Sequence, residues 1–203
     1  GRVWQTDKGY EVDVAADGPY ALRASVAGLA TGADAALRFD VNLPDVAPLA
    51  PTVSGPLAAR GVLRQANTGY EIDVTADGPY AATAAVSGLA TGPQAALDFS
   101  VALPDLQPLV PSVSGPLDAR GRLWQTPEGY EVDVTARGPQ SAEATVKGLA
   151  IAEAMDLTYV LAVPRVQAFV PAVPGALQSS GRLWQTEQGY NVDVIAGGPY
   201  AAK

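Results

Sequence analysis

Paired carboxylates are the residues of this chain whose types and spacing could do chemistry. The pairs are Glu11 with Asp13, Glu71 with Asp73, and Glu131 with Asp133. Two carboxylates on one face of a strand can serve acid–base catalysis or hold a hard cation. In the fourth copy, however, Asn191 precedes Asp193, and nothing in the sequence predicts a segment that closes around the pairs.

The amino-acid composition argues against most other kinds of catalytic and binding site. The chain contains no His and no Cys, so the commonest zinc ligands and the usual nucleophile–base pairs are missing. The net charge is −8, which disfavours nucleic acid and anionic membrane surfaces, because both need a basic footprint. We therefore predict that the chain is not an enzyme and has no catalytic residue, metal site, cofactor or nucleic-acid partner.

The carboxylate pairs belong to a repeat that organises the whole sequence. A stretch of fourteen residues, GRLWQTPEGYEVDV from Gly121, has counterparts that begin at Gly1, Gly61 and Gly181, a period of 60 residues. Such a period is typical of stacked repeats, each of which buries part of its apolar surface against its neighbours. We predict one continuous repeat domain over residues 1–203, a piece of a longer array, with units 1–60, 61–120 and 121–180 and a partial unit 181–203.

Each unit alternates apolar and polar residues with a period of two, as half-buried strands do. Short gaps that contain Gly predict antiparallel hairpins. The stretch from Pro44 to Arg60 carries four prolines, which lack the N–H that a central strand needs. We predict for it an extended, weakly paired connector or an edge strand, so that a unit is a four-stranded meander with a Pro-rich return and no helix.

Comparison of the units separates the two faces of these strands. One face keeps its chemistry, as at Val12, Ile72, Val132 and Val192, whereas the other changes, as at Arg23, Thr83 and Glu143. Two structures fit a continuous apolar face. A second layer could pack on it and make a filled sandwich or solenoid, or the sheet could curl around an apolar ligand. The small side chains of Ala84 and Ala144 leave room for the second arrangement.

The repeat, with phrases such as LPDVAPLAP (Leu43–Pro51) and SGPLDARG (Ser114–Gly121), resembles the repeats of the TamB family, in the AsmA-like and bridge-like lipid-transfer group. The resemblance covers essentially the whole chain. It implies an all-β fold, an elongated repeat sheet of mostly antiparallel meanders curled into a U-shaped, taco-like trough with an apolar interior. It also implies a periplasmic protein, anchored in the inner membrane, that carries phospholipid or another acyl-chain lipid towards the outer membrane and a TamA-like partner there.

The family supplies no catalytic residue, and what carries over is the apolar lining. The predicted lipid-lining residues are Val12, Val14, Leu22, Ala24, Val26, Leu37, Phe39, Val41, Ile72, Val74, Ala84, Val86, Leu97, Phe99, Val101, Val132, Val134, Val146, Leu157, Tyr159, Leu161, Val192 and Val194. The alternative function is an extracellular or cell-envelope structural or adhesive β-solenoid with a filled core. We also expect unpaired sheet edges to favour end-to-end self-association of this piece.

Overall fold

The strands follow one another along a single antiparallel meander. The computed structural model describes residues 1–151, 155–186 and 189–198, with only the backbone of Ile151. Within these residues it contains fourteen strands, whose order in the sheet is their order in the sequence, and no α-helix. Every strand pairing that the structure describes is antiparallel. The predicted all-β fold of antiparallel meanders is therefore confirmed.

The chain divides into two compact units, Gly1–Phe99 and Ser100–Lys203, with the division inside the eighth strand. The strands up to the division are β1 (Arg2–Thr6), β2 (Gly9–Asp17), β3 (Arg23–Leu29), β4 (Ala36–Leu43), β5 (Leu57–Ala66), β6 (Gly69–Asp77), β7 (Thr83–Leu89) and β8 (Ala96–Leu103). Those after it are β9 (Leu117–Thr126), β10 (Gly129–Arg137), β11 (Glu143–Ile151), β12 (Asp156–Val163), β13 (Leu177–Thr186) and β14 (Gly189–Gly197). In the predicted partial repeat 181–203, residues 187–188 and 199–203 lie outside the described part of the chain.

The hairpin between β2 and β3 turns through two left-handed residues. Tyr20 and Ala21 have φ of 61° and 58°, and the Gly18 N–H donates to the Leu22 carbonyl at 2.7 Å. Consecutive left-handed residues give the kind of turn whose twist matches that of the flanking strands. The turn recurs after β6 and β10 with the residue pairs Tyr80–Ala81 and Gln140–Ser141.

The Pro-rich connector folds differently from the prediction. Residues 44–56 form a compact loop rather than an extended segment. In it the Asp45 carboxylate accepts hydrogen bonds from the N–H groups of Ala47 at 3.0 Å and Gly55 at 2.9 Å. The Val46 N–H also donates to the Gly55 carbonyl at 2.9 Å. All four prolines lie in this loop, where no ladder hydrogen bond requires their missing N–H.

Residues 57–60, the last four residues of the predicted connector, belong to a central strand. β5 begins at Leu57 and pairs with β4 on one side and with β6 on the other. The segment contains no proline, so its N–H groups can take part in the ladder. The predicted boundary at Arg60 was therefore wrong, and the strand starts immediately after Pro56.

The buried aliphatic side chains of the described residues lie only at the ends of strands and in the loops beside them. The buried aliphatic side chains are Ala35, Leu43, Val46, Ala95 and Leu103. They lie just before β4 and β8, at the ends of these strands, and in the connector. No side chain of the described residues is completely buried. In the described part of each unit, the residues at the strand centres are thus half-buried or exposed.

Candidate functional site: the apolar face

The strand register of the first unit collects its apolar residues into three rows on one face. Paired residues in antiparallel neighbours point to the same side of a sheet. The rows are Val12–Gly28–Leu37–Leu63–Ile72–Gly88, Val14–Val26–Phe39–Gly61–Val74–Val86, and Ala16–Ala24–Val41–Ala59–Ala76–Ala84. We call this side of the sheet the apolar face and the opposite side the polar face.

The second unit repeats the three rows from β9 to β14. They are Leu123–Val132–Gly148–Leu157–Leu183–Val192, Gly121–Val134–Val146–Tyr159–Gly181–Val194, and Ala119–Ala136–Ala144–Leu161–Ser179–Ala196. Within the rows of both units, Tyr159 and Ser179 alone among the described residues have polar side-chain atoms. A row of Gln and Tyr borders the apolar face, with the pairs Gln65–Tyr70 and Gln125–Tyr130 as examples.

Every charged residue in the described strands lies on the polar face. Arg38, Asp40 and Asp73, for example, occupy the positions that alternate with Leu37, Phe39 and Ile72. A single charge on the apolar face would lose hydration without a partner there, at a cost of several kcal/mol when the face is covered. Within the described strands, the apolar face therefore carries no charge.

The apolar face remains partly open to solvent. Val14 is 41% exposed, Val101 41% and Val194 52%. Side chains of this size usually gain about 1.5–3 kcal/mol each on full burial. Part of that free energy is still unrealised in the chain alone, so an apolar molecule lying on the face would be stabilised by covering it.

Most of the predicted lining residues lie in the rows above, and that they contact lipid stays a prediction. The other four lie outside these rows: Leu97, Phe99 and Val101 alternate with polar residues along β8, and Leu22 lies in the turn before β3. The prediction missed row members in β5, β9 and β13, namely Ala59, Leu63, Ala119, Leu123, Ser179 and Leu183. Their alternation in sequence was a usable signal, since Leu63, Leu123 and Leu183 recur at one position of the repeat.

The aromatic side chain of each unit's central row lies across a glycine of the next strand. A Cβ atom added to Gly61 would stand 2.6 Å from Cζ of Phe39, and one added to Gly181 would stand 2.7 Å from Cε1 of Tyr159. Real Cβ atoms essentially never come so close to another atom. Gly61 and Gly181, which open the second and fourth copies of the fourteen-residue repeat, thus leave the space in which these two rings pack against the sheet.

Tyr159 also has a polar partner on the apolar face. Its hydroxyl lies 3.2 Å from the hydroxyl of Ser179, and both residues are half-buried. The first unit has Phe39 and Ala59 at the corresponding positions, so the hydrogen bond is absent there. The two hydroxyl groups thus lie side by side on the apolar face, on the neighbouring strands β12 and β13.

Some charges of the polar face form cross-strand pairs. Arg182 donates from Nε and Nη2 to the two carboxylate oxygens of Asp156 at 2.7 and 2.6 Å, and its guanidinium lies 5.2 Å from the centroid of the Trp184 ring. These hydrogen bonds lower the pKa of Asp156 and raise the pKa of Arg182. Lys147 similarly donates to Asp133 at 2.8 Å.

The recurring carboxylates and tryptophans both lie on the polar face. Trp4 pairs with Glu11, and Trp124 with Glu131. The described residues contain no group of three or more His, Cys, Asp or Glu side chains that could hold a metal ion. The pair Glu131 and Asp133 lines an open pocket together with Trp124, Lys147 and Asp156, and the Lys147 ammonium there already pairs with Asp133.

The fold and site together define a repeat antiparallel sheet with one uncharged, half-open apolar face. Within the described residues, no helix has the length and apolarity needed to cross a membrane. No protein-family model matches the chain, and comparisons with curated proteins and with solved structures found no match.

Proposed function

We propose that the chain is a segment of a lipid-transfer conduit, in which the acyl chains of phospholipids lie on the apolar face. The observation that carries the proposal is that all strand charges lie on the other face while the apolar rows stay half-exposed. Hydrocarbon binding needs an extended apolar surface and no directional contacts. Covering such a surface releases about 25 cal/mol for each Å² removed from water.

The rows of the apolar face suit movement as well as binding. Valine, leucine and alanine follow one another from strand to strand, so a hydrocarbon chain meets similar contacts at each step. Because hydrophobic attraction is non-directional, the barrier between neighbouring positions is low. Lipid would move by one-dimensional diffusion, with headgroups in water, and one charged obstacle would stop it because the path is in series.

The setting of this conduit follows from the resemblance of the repeats to the TamB family. We propose that the full protein is anchored in the inner membrane, crosses the periplasm, and delivers phospholipid for outer-membrane biogenesis with a TamA-like partner. The acidic balance of the chain, 21 Asp and Glu against 13 Lys and Arg, favours an uncharged contact with lipid tails over attraction to anionic headgroups. The filled-core solenoid has less support, because no described side chain is completely buried.

The test is to find where lipid contacts the protein. A photo-crosslinking aromatic residue is placed at Phe39 on the apolar face or at Asp40 on the polar face, and the protein is irradiated in cells. We expect phospholipid adducts, identified by mass spectrometry, at Phe39 and few or none at Asp40. Adducts at neither position, or equally at both, would overturn the proposal.

A further inference from the structure

Tyr159 and Ser179 place hydrogen-bonding atoms inside an otherwise apolar surface. Their hydroxyl oxygens lie 3.2 Å apart, and either can be the donor. Two hydroxyls carry two hydrogens, and the bond between them uses one. In the described part of the chain neither hydroxyl has another partner. One O–H donor therefore remains for a ligand that covers this part of the face.

The donor is held in a fixed place by the packing of the tyrosine ring. A Cβ on Gly181 would lie 3.0 Å from the Tyr159 hydroxyl oxygen and closer still to the ring, so the missing side chain provides the space that the phenol fills. Ser179 lies two residues before Gly181 on β13, which places its hydroxyl beside that of Tyr159. A donor fixed before binding loses little conformational entropy when the ligand arrives.

The surroundings select a neutral acceptor. All charged strand residues of the second unit, including the nearest cations Arg182 and Lys147, lie on the polar face. A carboxylate on the apolar face would lose hydration without a counter-charge, in a chain whose net charge is already −8. A carbonyl oxygen meets no such penalty, and in a glycerolipid the ester carbonyls stand where the acyl chains begin.

We propose that Tyr159 and Ser179 bind an ester carbonyl of a glycerolipid whose acyl chains lie on the apolar face of the second unit. The inference rests on the proposed function and adds to it a specific position at which the lipid is held. At Tyr159 the lipid is held in one register, whereas Phe39 and Ala59 of the first unit offer no donor and let it slide. One hydrogen bond of this kind corresponds to about a two- to tenfold difference in affinity.

The test compares two lipids on the full chain. The dissociation constant is measured for a fluorescent diacyl phosphatidylglycerol and for its dialkyl ether analogue, which keeps the tails and headgroup but lacks both carbonyls. The variants are Tyr159→Phe/Ser179→Ala, which recreates the pair found in the first unit, and that variant with Phe39→Tyr/Ala59→Ser, which moves the hydroxyl pair to the first unit. Palmitate, which has a charged carboxylate where the acyl chain begins, tests a charged acceptor in place of the ester carbonyl.

We expect the unmodified chain to bind the ester lipid about two- to tenfold more tightly than the ether lipid. The Tyr159→Phe/Ser179→Ala variant should bind both lipids with the affinity of the ether lipid, and moving the pair to Phe39 and Ala59 should restore the difference. Equal binding of ester and ether lipid by the unmodified chain would overturn this inference and leave the conduit standing. If Tyr159→Phe/Ser179→Ala loses more affinity for palmitate than for the ester lipid, the choice of an ester carbonyl is contradicted. If no lipid binds, the proposed conduit is overturned as well.

Discussion

The two faces of each unit share one backbone, yet the repeats alter them very differently. From the first repeat to the third, Val14 and Val26 of the apolar face become Val134 and Val146. On the polar face the neighbouring Arg23 becomes Glu143, a reversal of charge. Since both faces have the same strand geometry, the difference lies in what each face has to contact. A face in water accepts any hydrophilic residue, whereas under the proposed function the other face has to stay free of charge.

The largest expected effect comes from placing a charge on the apolar face. Val74→Arg puts a guanidinium into the central row of the first unit, next to Val86. We expect the lipid bound per protein to fall more than tenfold, because a covered charge without a partner costs several kcal/mol. Quantitative lipid extraction from the purified protein measures the effect.

Ser87→Arg is the matched control, since Ser87 follows Val86 in β7 and lies exposed on the polar face opposite Asp73. Both variants add the same charge to the same part of the sheet, and circular dichroism checks that both keep their strands. If the two proteins carry equal amounts of lipid, the distinction between the faces has no bearing on binding.

Within the apolar face, the next expected effect concerns the two aromatic rings that pack against glycines. The Cβ added by Gly61→Ala or Gly181→Ala would meet the ring of Phe39 or Tyr159 and also a backbone carbonyl oxygen of the next strand, that of Asp73 or Asp193. Overpacking of this kind costs about 1–3 kcal/mol, or roughly 3–10 °C in melting temperature for a chain of this size. Gly197→Ala is the control, since a Cβ there meets no atom within 4 Å. Equal melting temperatures for all three variants would show that the rings and the neighbouring strand adjust without loss of stability.

How far the sequence predicts this molecule depends on whether a feature is local. Alternation along Tyr70–Asp77 predicts both a strand and its faces, because the side-chain period of a strand is two. The connector prediction failed because prolines show where a ladder cannot form but not what the chain does instead. The loop of residues 44–56 is fixed by bonds across ten residues, from Gly55 back to Asp45.

The details of the candidate site needed the register between strands. Sequence alternation placed Tyr159 on the apolar face, but its contact with Ser179 twenty residues away depends on how β12 pairs with β13. The joint change from Phe39 and Ala59 to Tyr159 and Ser179 was visible in the repeat. Without the register, nothing linked the two substitutions. The packing of the Tyr159 ring against Gly181 also depends on the register, so the sequence alone did not predict it.

Loop carboxylates should matter more for stability than the exposed carboxylates of the polar face. The N–H of Gly55 and then that of Ala47 lower the pKa of Asp45, and Gly115 and Gln107 do the same for Asp105. A folded-state pKa below the ordinary 3.8 stabilises the protein when the carboxylate is ionised. This contribution is complete at neutral pH and is lost as the pH falls below about 4 through the folded-state pKa.

We therefore expect Asp45→Asn/Asp105→Asn to melt at a lower temperature than the unmodified chain at pH 7, and the gap to close towards pH 3. Asp40→Asn on the polar face is the control, because the structure gives this carboxylate no hydrogen bond among the described residues. The third connector holds Arg165 where the others hold aspartate and still bonds Val166 to Gly175, so loss of the carboxylate does not require loss of the loop. A gap that persists unchanged at pH 3 would exclude the ionised carboxylates as its cause.

The smallest effect is expected from the best-formed ion pair of the polar face. Arg182 and Asp156 form two hydrogen bonds, but their side chains are 54% and 42% exposed, and exposed pairs contribute little because water competes for both charges. Arg182→Gln should lower the melting temperature by no more than about 2–4 °C, a difference that 1 M NaCl should reduce further. Lipid binding should not change, since the pair lies on the face opposite Leu157 and Leu183. A loss of bound lipid in this variant would mean that the polar face also contacts lipid. The difference between the two faces would then reflect packing within the protein and not lipid binding.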